Sequence, residues 1–77
     1  MLHYILDVAV SDASVRITLD GGLSYEVAPD DLLTAATWYG SQQVRIVPAR
    51  TRAFPVRLHH CESGQVIKAR RFVGHDG

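Results

Sequence analysis

Val15-Arg16-Ile17-Thr18-Leu19-Asp20-Gly21-Gly22-Leu23-Ser24-Tyr25-Glu26-Val27 alternates apolar and polar residues on both sides of an Asp-Gly-Gly break. Period-two alternation is the pattern of a half-buried strand, and two such runs around a glycine-bearing break read as a β-hairpin. Loop length decides the rest. With Asp20-Gly21-Gly22 as a three-residue loop, Leu19 faces Leu23, Ile17 faces Tyr25 and Val15 faces Val27, so all six apolar side chains share one face. The other face then pairs Arg16 with Glu26 and Thr18 with Ser24. A two-residue loop would set Ile17 against Glu26 or Ser24, because a one-residue slip turns every side chain over. Glycine at the third loop position supplies the left-handed backbone that such a loop requires.

Outward from this hairpin, the other segments read mainly as strands. Leu2 to Val10 is rich in aliphatic and β-branched residues and ends in the polar turn Ser11-Asp12-Ala13-Ser14. Ala28-Pro29-Asp30-Asp31 opens a short helix, with proline in its first turn and acids favouring the positive end of the helix dipole. Leu32, Leu33, Ala36 and Tyr39 or Trp38 supply its apolar stripe, and Gly40 stops it. Val44 to Val47 is a third clear strand, closed by Pro48, and residues 49–54 form a basic irregular loop. Val56 to Cys61 and Val66 to Val73 make a second hairpin around Glu62-Ser63-Gly64-Gln65, with Gly74 to Gly77 as a frayed tail. A turn centred on Ser63-Gly64 pairs His60 with Ile67, His59 with Lys68, Leu58 with Ala69 and Arg57 with Arg70. The expected architecture is one mainly β domain over residues 1–77, a five- or six-stranded partly open barrel with one short helix around residues 29–39. Its open strand edges fall at Leu2–Val10 or Val44–Val47.

Bulk properties narrow the function classes. A chain of 77 residues builds a small core, and its single cysteine, Cys61, rules out an internal disulfide. A lone thiol without a signal segment points to the cytoplasm, and no apolar run is long enough to cross a membrane as a helix. Formal net charge is zero, yet residues 1–43 carry one base, Arg16, against six acids, while residues 44–77 carry seven bases against two. The first reading is mutual neutralisation of the two halves across strands. The second is an anionic partner for the basic half.

On the second hairpin, Val56, Leu58, His60, Ile67 and Ala69 share a core-like face, and Arg57, His59, Lys68 and Arg70 share the other, with Phe72 placed to stack beside them. Like charges directly opposite each other repel, so this face calls for acids from elsewhere, with Asp7, Asp12, Asp30 and Asp31 available, or for a bound anion. With Arg50 and Arg52 it forms the candidate nucleic-acid contact, although a pI near 7 is low for a dedicated binder. His59 and His60 point to opposite faces of a strand and cannot share one metal ion, so neither a metal nor another cofactor is expected. His60 reads as a partly buried histidine with a satisfied hydrogen bond, and Cys61 as a small buried hydrophobe rather than a nucleophile. No phosphate-binding loop, nucleophile elbow or carboxylate pair is present, which argues against an enzyme. Trp38 and Tyr39 read first as a plug packing the helix onto the sheet, and otherwise as aromatic contacts for a partner chain.

The succession Asp20-Gly21-Gly22, Tyr25 to Asp31, Trp38, Gly40 and Val44-Arg45-Ile46, continued by the hairpin with Gly64 and Val66 to Arg70, resembles small bacterial proteins of SH3-like barrel shape. The resemblance covers most of the chain and rests on turn and core residues, with Tyr25 where tryptophan is expected. It implies the fold and carries over no activity or functional residue. The expected role is a non-enzymatic protein-interaction or adaptor module, with another protein or a second copy as partner. Weak nucleic-acid binding through Arg50, Arg52, Arg57, Lys68 and Arg70 is the alternative.

Overall fold

The structure, a computed structural model, describes residues 2–72. Six strands are present, β1 (Leu2–Val10), β2 (Val15–Leu19), β3 (Ser24–Val27), β4 (Gln43–Pro48), β5 (Val56–His60) and β6 (Val66–Arg71), with a helix α1 (Leu32–Ala35) entered through a 3-10 turn at Pro29–Asp31. They form one antiparallel barrel in the order β1-β2-β3-β6-β5-β4. The mainly β barrel with one short helix is therefore the fold. The barrel is closed, not partly open, because β1 pairs with β2 and also with β4, through Leu2↔Arg45, His3↔Val44 and Tyr4↔Gln43. Neither expected open edge at Leu2 nor at Val44 exists. The expected tail at residues 74–77 lies outside the described residues.

The first hairpin has the expected register, with Arg16↔Glu26, Ile17↔Tyr25 and Thr18↔Ser24 paired and the Leu19 N–H donating to the Leu23 carbonyl. Asp20–Gly22 form a 3-10 turn in which Gly21 and Gly22 both take φ of +82°. The six side chains assigned to one face do face inward: Val15, Ile17, Leu19, Tyr25 and Val27 are buried and Leu23 packs against them. Ile5, Val44, Leu58, Ile67 and Ala69 complete the core from the other strands.

The second hairpin differs from expectation by two residues. His60 pairs with Gln65, Leu58 with Ile67 and Arg57 with Lys68, so the loop is Cys61–Gly64. An even slip leaves the faces unchanged, and Leu58, His60, Ile67 and Ala69 are buried as expected. The longer loop is favoured by its own contacts: Gly64 takes φ of +76°, and the His60 Nδ1 accepts the Ser63 N–H at 3.2 Å. Cys61 consequently sits exposed in the turn, correcting its reading as a buried hydrophobe. His60 is 3% exposed, more deeply buried than expected, and its Nε2 has no hydrogen-bond partner among the described residues.

One end of the barrel is stopped by Trp38. It is buried, its ring lies 4.8 Å from the His60 ring, and its Nε1–H donates to the Gln65 Oε1 at 2.9 Å. The helical turn runs on through hydrogen bonds to Trp38, and the chain reverses at Ser41, with φ of +75°. Gly40 serves close approach, since a Cβ there would meet the Leu6 carbonyl at 3.4 Å.

Two aspartates finish ladders that strands leave incomplete. The Asp20 carboxylate accepts the Tyr4 N–H at 2.9 Å and the His3 Nδ1 at 2.9 Å, where β1 extends past the end of β2. Asp31 Oδ2 accepts the Lys68 N–H at 2.8 Å, where β6 extends past β3. The Tyr4 N–H, aided by His3 and opposed by desolvation, holds the Asp20 carboxyl below the usual carboxylate range. A carboxylate lowered on folding stabilises the fold above its unfolded pKa, and that contribution is lost as pH falls through the folded value. Asp20→Ala is expected to lower the thermal midpoint at neutral pH, with the gap from the wild type narrowing below the usual carboxylate range; a gap constant from pH 7 downward contradicts the assignment. Ile17→Ala, at a position with 0% exposure, is expected to cost about 3 kcal/mol in urea titration, far more than Thr18→Ala beside it. Equal losses would mean that the hairpin faces are wrongly assigned.

Candidate functional site

The basic residues singled out by sequence lie on the outer surface of β5, β6 and the loop between β4 and β5, but the structure separates them into two groups. Lys68 and Arg70 are already countered. The Lys68 Nζ is 3.3 Å from Asp30, and the Arg70 Nε donates to the Glu26 Oε1 at 3.0 Å. Arg70 also lies over the Phe54 ring, with 5.1 Å to the centroid. These contacts join the acidic first half of the chain to the basic second half, as the neutralisation reading requires. Exposed pairs of this kind contribute about 0–1 kcal/mol each, so they balance charge more than they hold the fold.

Arg50, Arg52 and Arg57 form no ion pair among the described residues. Arg50 and Arg52 are exposed in the loop, while Arg57 stands opposite Lys68 and donates from Nη1 to the Phe54 carbonyl at 2.9 Å. Because the second hairpin is slipped by two, Arg57 faces Lys68 instead of Arg70, and His59 faces Val66 instead of Lys68. Phe72 does not join this face: the Arg16 guanidinium lies 4.7 Å above its ring. Sequence reasoning missed Arg45. It is exposed, stands directly opposite His59 on β4, and also forms no ion pair among the described residues. The alternation of Val44, Arg45 and Ile46 held the signal, since it turns Arg45 outward.

The two aromatic candidates part company. Trp38 is 3% exposed and belongs to the core, which removes it as an interface residue, whereas Tyr39 is 63% exposed. Two adjoining hollows at the β1–β2 turn were also not legible in the sequence, because three distant segments build them. A hollow of about 330 Å³ lies between Val10, Val15, Leu32, Leu33 and Ala36, with Asp12 and Asp30 on its rim. Another of about 260 Å³ lies against Ala9, Arg16, Glu26 and Phe72 and shares Val10, Ser11 and Val15 with the first. Leu33 is 87% exposed and Val10 59% exposed at this place. The expected apolar stripe of the helix is corrected here: Leu32 packs against the core and Ala35 is buried, while Leu33 and Ala36 stand exposed.

A third hollow, about 260 Å³, is formed by Arg45, His59, His60, Cys61 and Gly64. His59 and His60 occupy successive strand positions, one intermediate and one buried, so they turn to opposite faces. No helix among the described residues is long and apolar enough to cross a membrane. No family model, curated protein or solved structure matches the chain.

Exposure of Cys61 has a direct consequence. An accessible thiol reacts as its thiolate fraction allows, without waiting for unfolding. A disulfide reagent such as Ellman's is expected to label Cys61 in the native protein nearly as fast as in denaturant. Protection by an order of magnitude or more would place the thiol inside, against the turn geometry.

Proposed function

We propose that the chain is a non-enzymatic protein-interaction module whose docking surface is the pair of hollows at the β1–β2 turn and α1. The observation that carries this reading is the exposure of Leu33 and Val10 at the mouth of an apolar hollow with Asp12 and Asp30 on its rim. Contiguous exposed apolar surface framed by polar groups marks interaction sites. The volume accommodates one or two side chains of an extended segment, not a large cofactor. Charge complementarity selects the occupant. Asp12 has no ion-pair partner among the described residues, and Asp30 keeps most of its carboxylate in solvent beside Lys68. The fitting partner is therefore a segment of another protein in which an apolar side chain is flanked by lysine or arginine. We place the module in the cytoplasm, where Cys61 stays reduced, and among the small bacterial SH3-like barrels that its motifs resemble.

The test is selection of displayed peptides on the immobilised full chain. Peptides with an apolar residue next to basic ones are expected to be enriched, and Leu33→Arg is expected to weaken them at least about tenfold while leaving the urea midpoint in place. Enrichment of acidic peptides, or binding indifferent to Leu33→Arg, removes the reading. A molecular mass that rises with concentration and falls back in Leu33→Arg would instead assign the surface to a second copy of the chain.

A further inference from the structure

Four arginines on the opposite charge face remain to be explained. Arg45, Arg50, Arg52 and Arg57 lie on β4, β5 and their connecting loop and have no ion-pair partner among the described residues, although Lys68 and Arg70 on β6 each have one. His59 stands beside two of them. Arg45 is directly opposite it on β4, and Arg57 is two residues before it on the same outward face of β5. On such a face, directly opposite side chains are about 5 Å apart and diagonal ones about 7–8 Å. Cations spaced in this way around a planar ring match a backbone of successive phosphates with bases free to stack.

We infer that this face binds single-stranded nucleic acid, with phosphates on the four arginines and a base stacked on His59. The four cations of this face are all arginine, whose planar fork holds phosphate through paired hydrogen bonds. Histidine and guanidinium planes are common stacking platforms for unpaired bases. Zero net charge does not oppose this binding. The molecule measures 35 × 26 × 24 Å, whereas charges more than about 8 Å apart are largely screened at physiological salt. A ligand therefore responds to the face it meets. Arg50 and Arg52, on an exposed loop, extend the cationic surface beyond the sheet.

The experiment is fluorescence anisotropy of a labelled oligothymidylate of about 20 nucleotides, titrated with the full chain at several salt concentrations. Binding is expected near 10⁻⁵ M, with log K falling against log salt at a slope of about −3 for four phosphate contacts. The double variant Arg50→Ala with Arg52→Ala, two residues exposed in the loop, is expected to reduce that slope by about 1.5. His59→Ala is expected to weaken binding about tenfold with the slope retained. A salt-independent signal, no binding at low salt, or variants that bind as the wild type does would overturn the assignment. So would equal competition by polyglutamate, which assigns the face to an acidic protein, or a duplex bound as tightly and indifferent to His59→Ala.

Discussion

Every strand of a closed barrel must have its backbone donors and acceptors met on both sides, because unpaired groups at a protein interior are costly. Six strands of unequal length do not meet that demand by themselves. β1 is the longest, and it meets it by changing neighbours: Ile5 to Val10 pair with β2, while Leu2 to Tyr4 pair with β4. The register shifts between Ile5 and Asp7, where the strand bends from one neighbour toward the other. Where β2 ends, the Asp20 side chain takes the Tyr4 N–H, and where β3 ends, the Asp31 side chain takes the Lys68 N–H. Both aspartates sit just after a strand, within the turn that follows it. Each therefore ends one strand and completes the ladder of another.

Closure at the end of the barrel rests on one network that joins buried Trp38 and His60 to the exposed turn residues Ser63 and Gln65. The Trp38 ring packs tilted against His60 and its Nε1–H donates to Gln65, while the His60 Nδ1 accepts the Ser63 N–H. Three segments far apart in sequence are thereby joined: the end of the helical turn, the end of β5 and the start of β6. The same network explains the second hairpin. A two-residue turn at Ser63-Gly64 would satisfy the alternation equally well, since it buries the same residues. It would separate His60 from Gln65, however, and lose the contacts that fix the loop at Cys61–Gly64.

That contrast separates what was legible from what was not. Alternation reports parity, and parity alone determined the faces of both hairpins. In the first, Asp20-Gly21-Gly22 offers glycine at two successive left-handed positions, so loop length followed from local chemistry. In the second, two loops of equal parity differ in side-chain contacts, those of Ser63 with His60 inside the loop and that of Gln65 with Trp38, 27 residues away. No periodicity carries that information. The hollows at the β1–β2 turn were hidden for the same reason, being assembled from residues near 10–15, 29–36 and 72. The split between Trp38 and Tyr39 was not legible, since the sequence read both as one plug or one contact, and the Gln65 side chain that receives the Trp38 Nε1–H lies far along the chain.

Charge segregation follows from the topology once the register is known. Acids crowd the first half of the chain and bases the second, so neutralisation requires strands from the two halves to be neighbours. β3 and β6 are neighbours, and there Glu26 meets Arg70; the Pro29–Asp31 turn that follows β3 brings Asp30 to Lys68. β4 and β1 are also neighbours, but only through Leu2, His3 and Tyr4, none of them acidic. Asp7 comes after β1 has left β4 for β2. The strand exchange that closes the barrel thus carries Asp7, the one acid of β1, away from Arg45, and β5 has only β4 and β6 beside it. The path of the backbone itself thus leaves the cations of β4, β5 and their loop without an ion pair among the described residues.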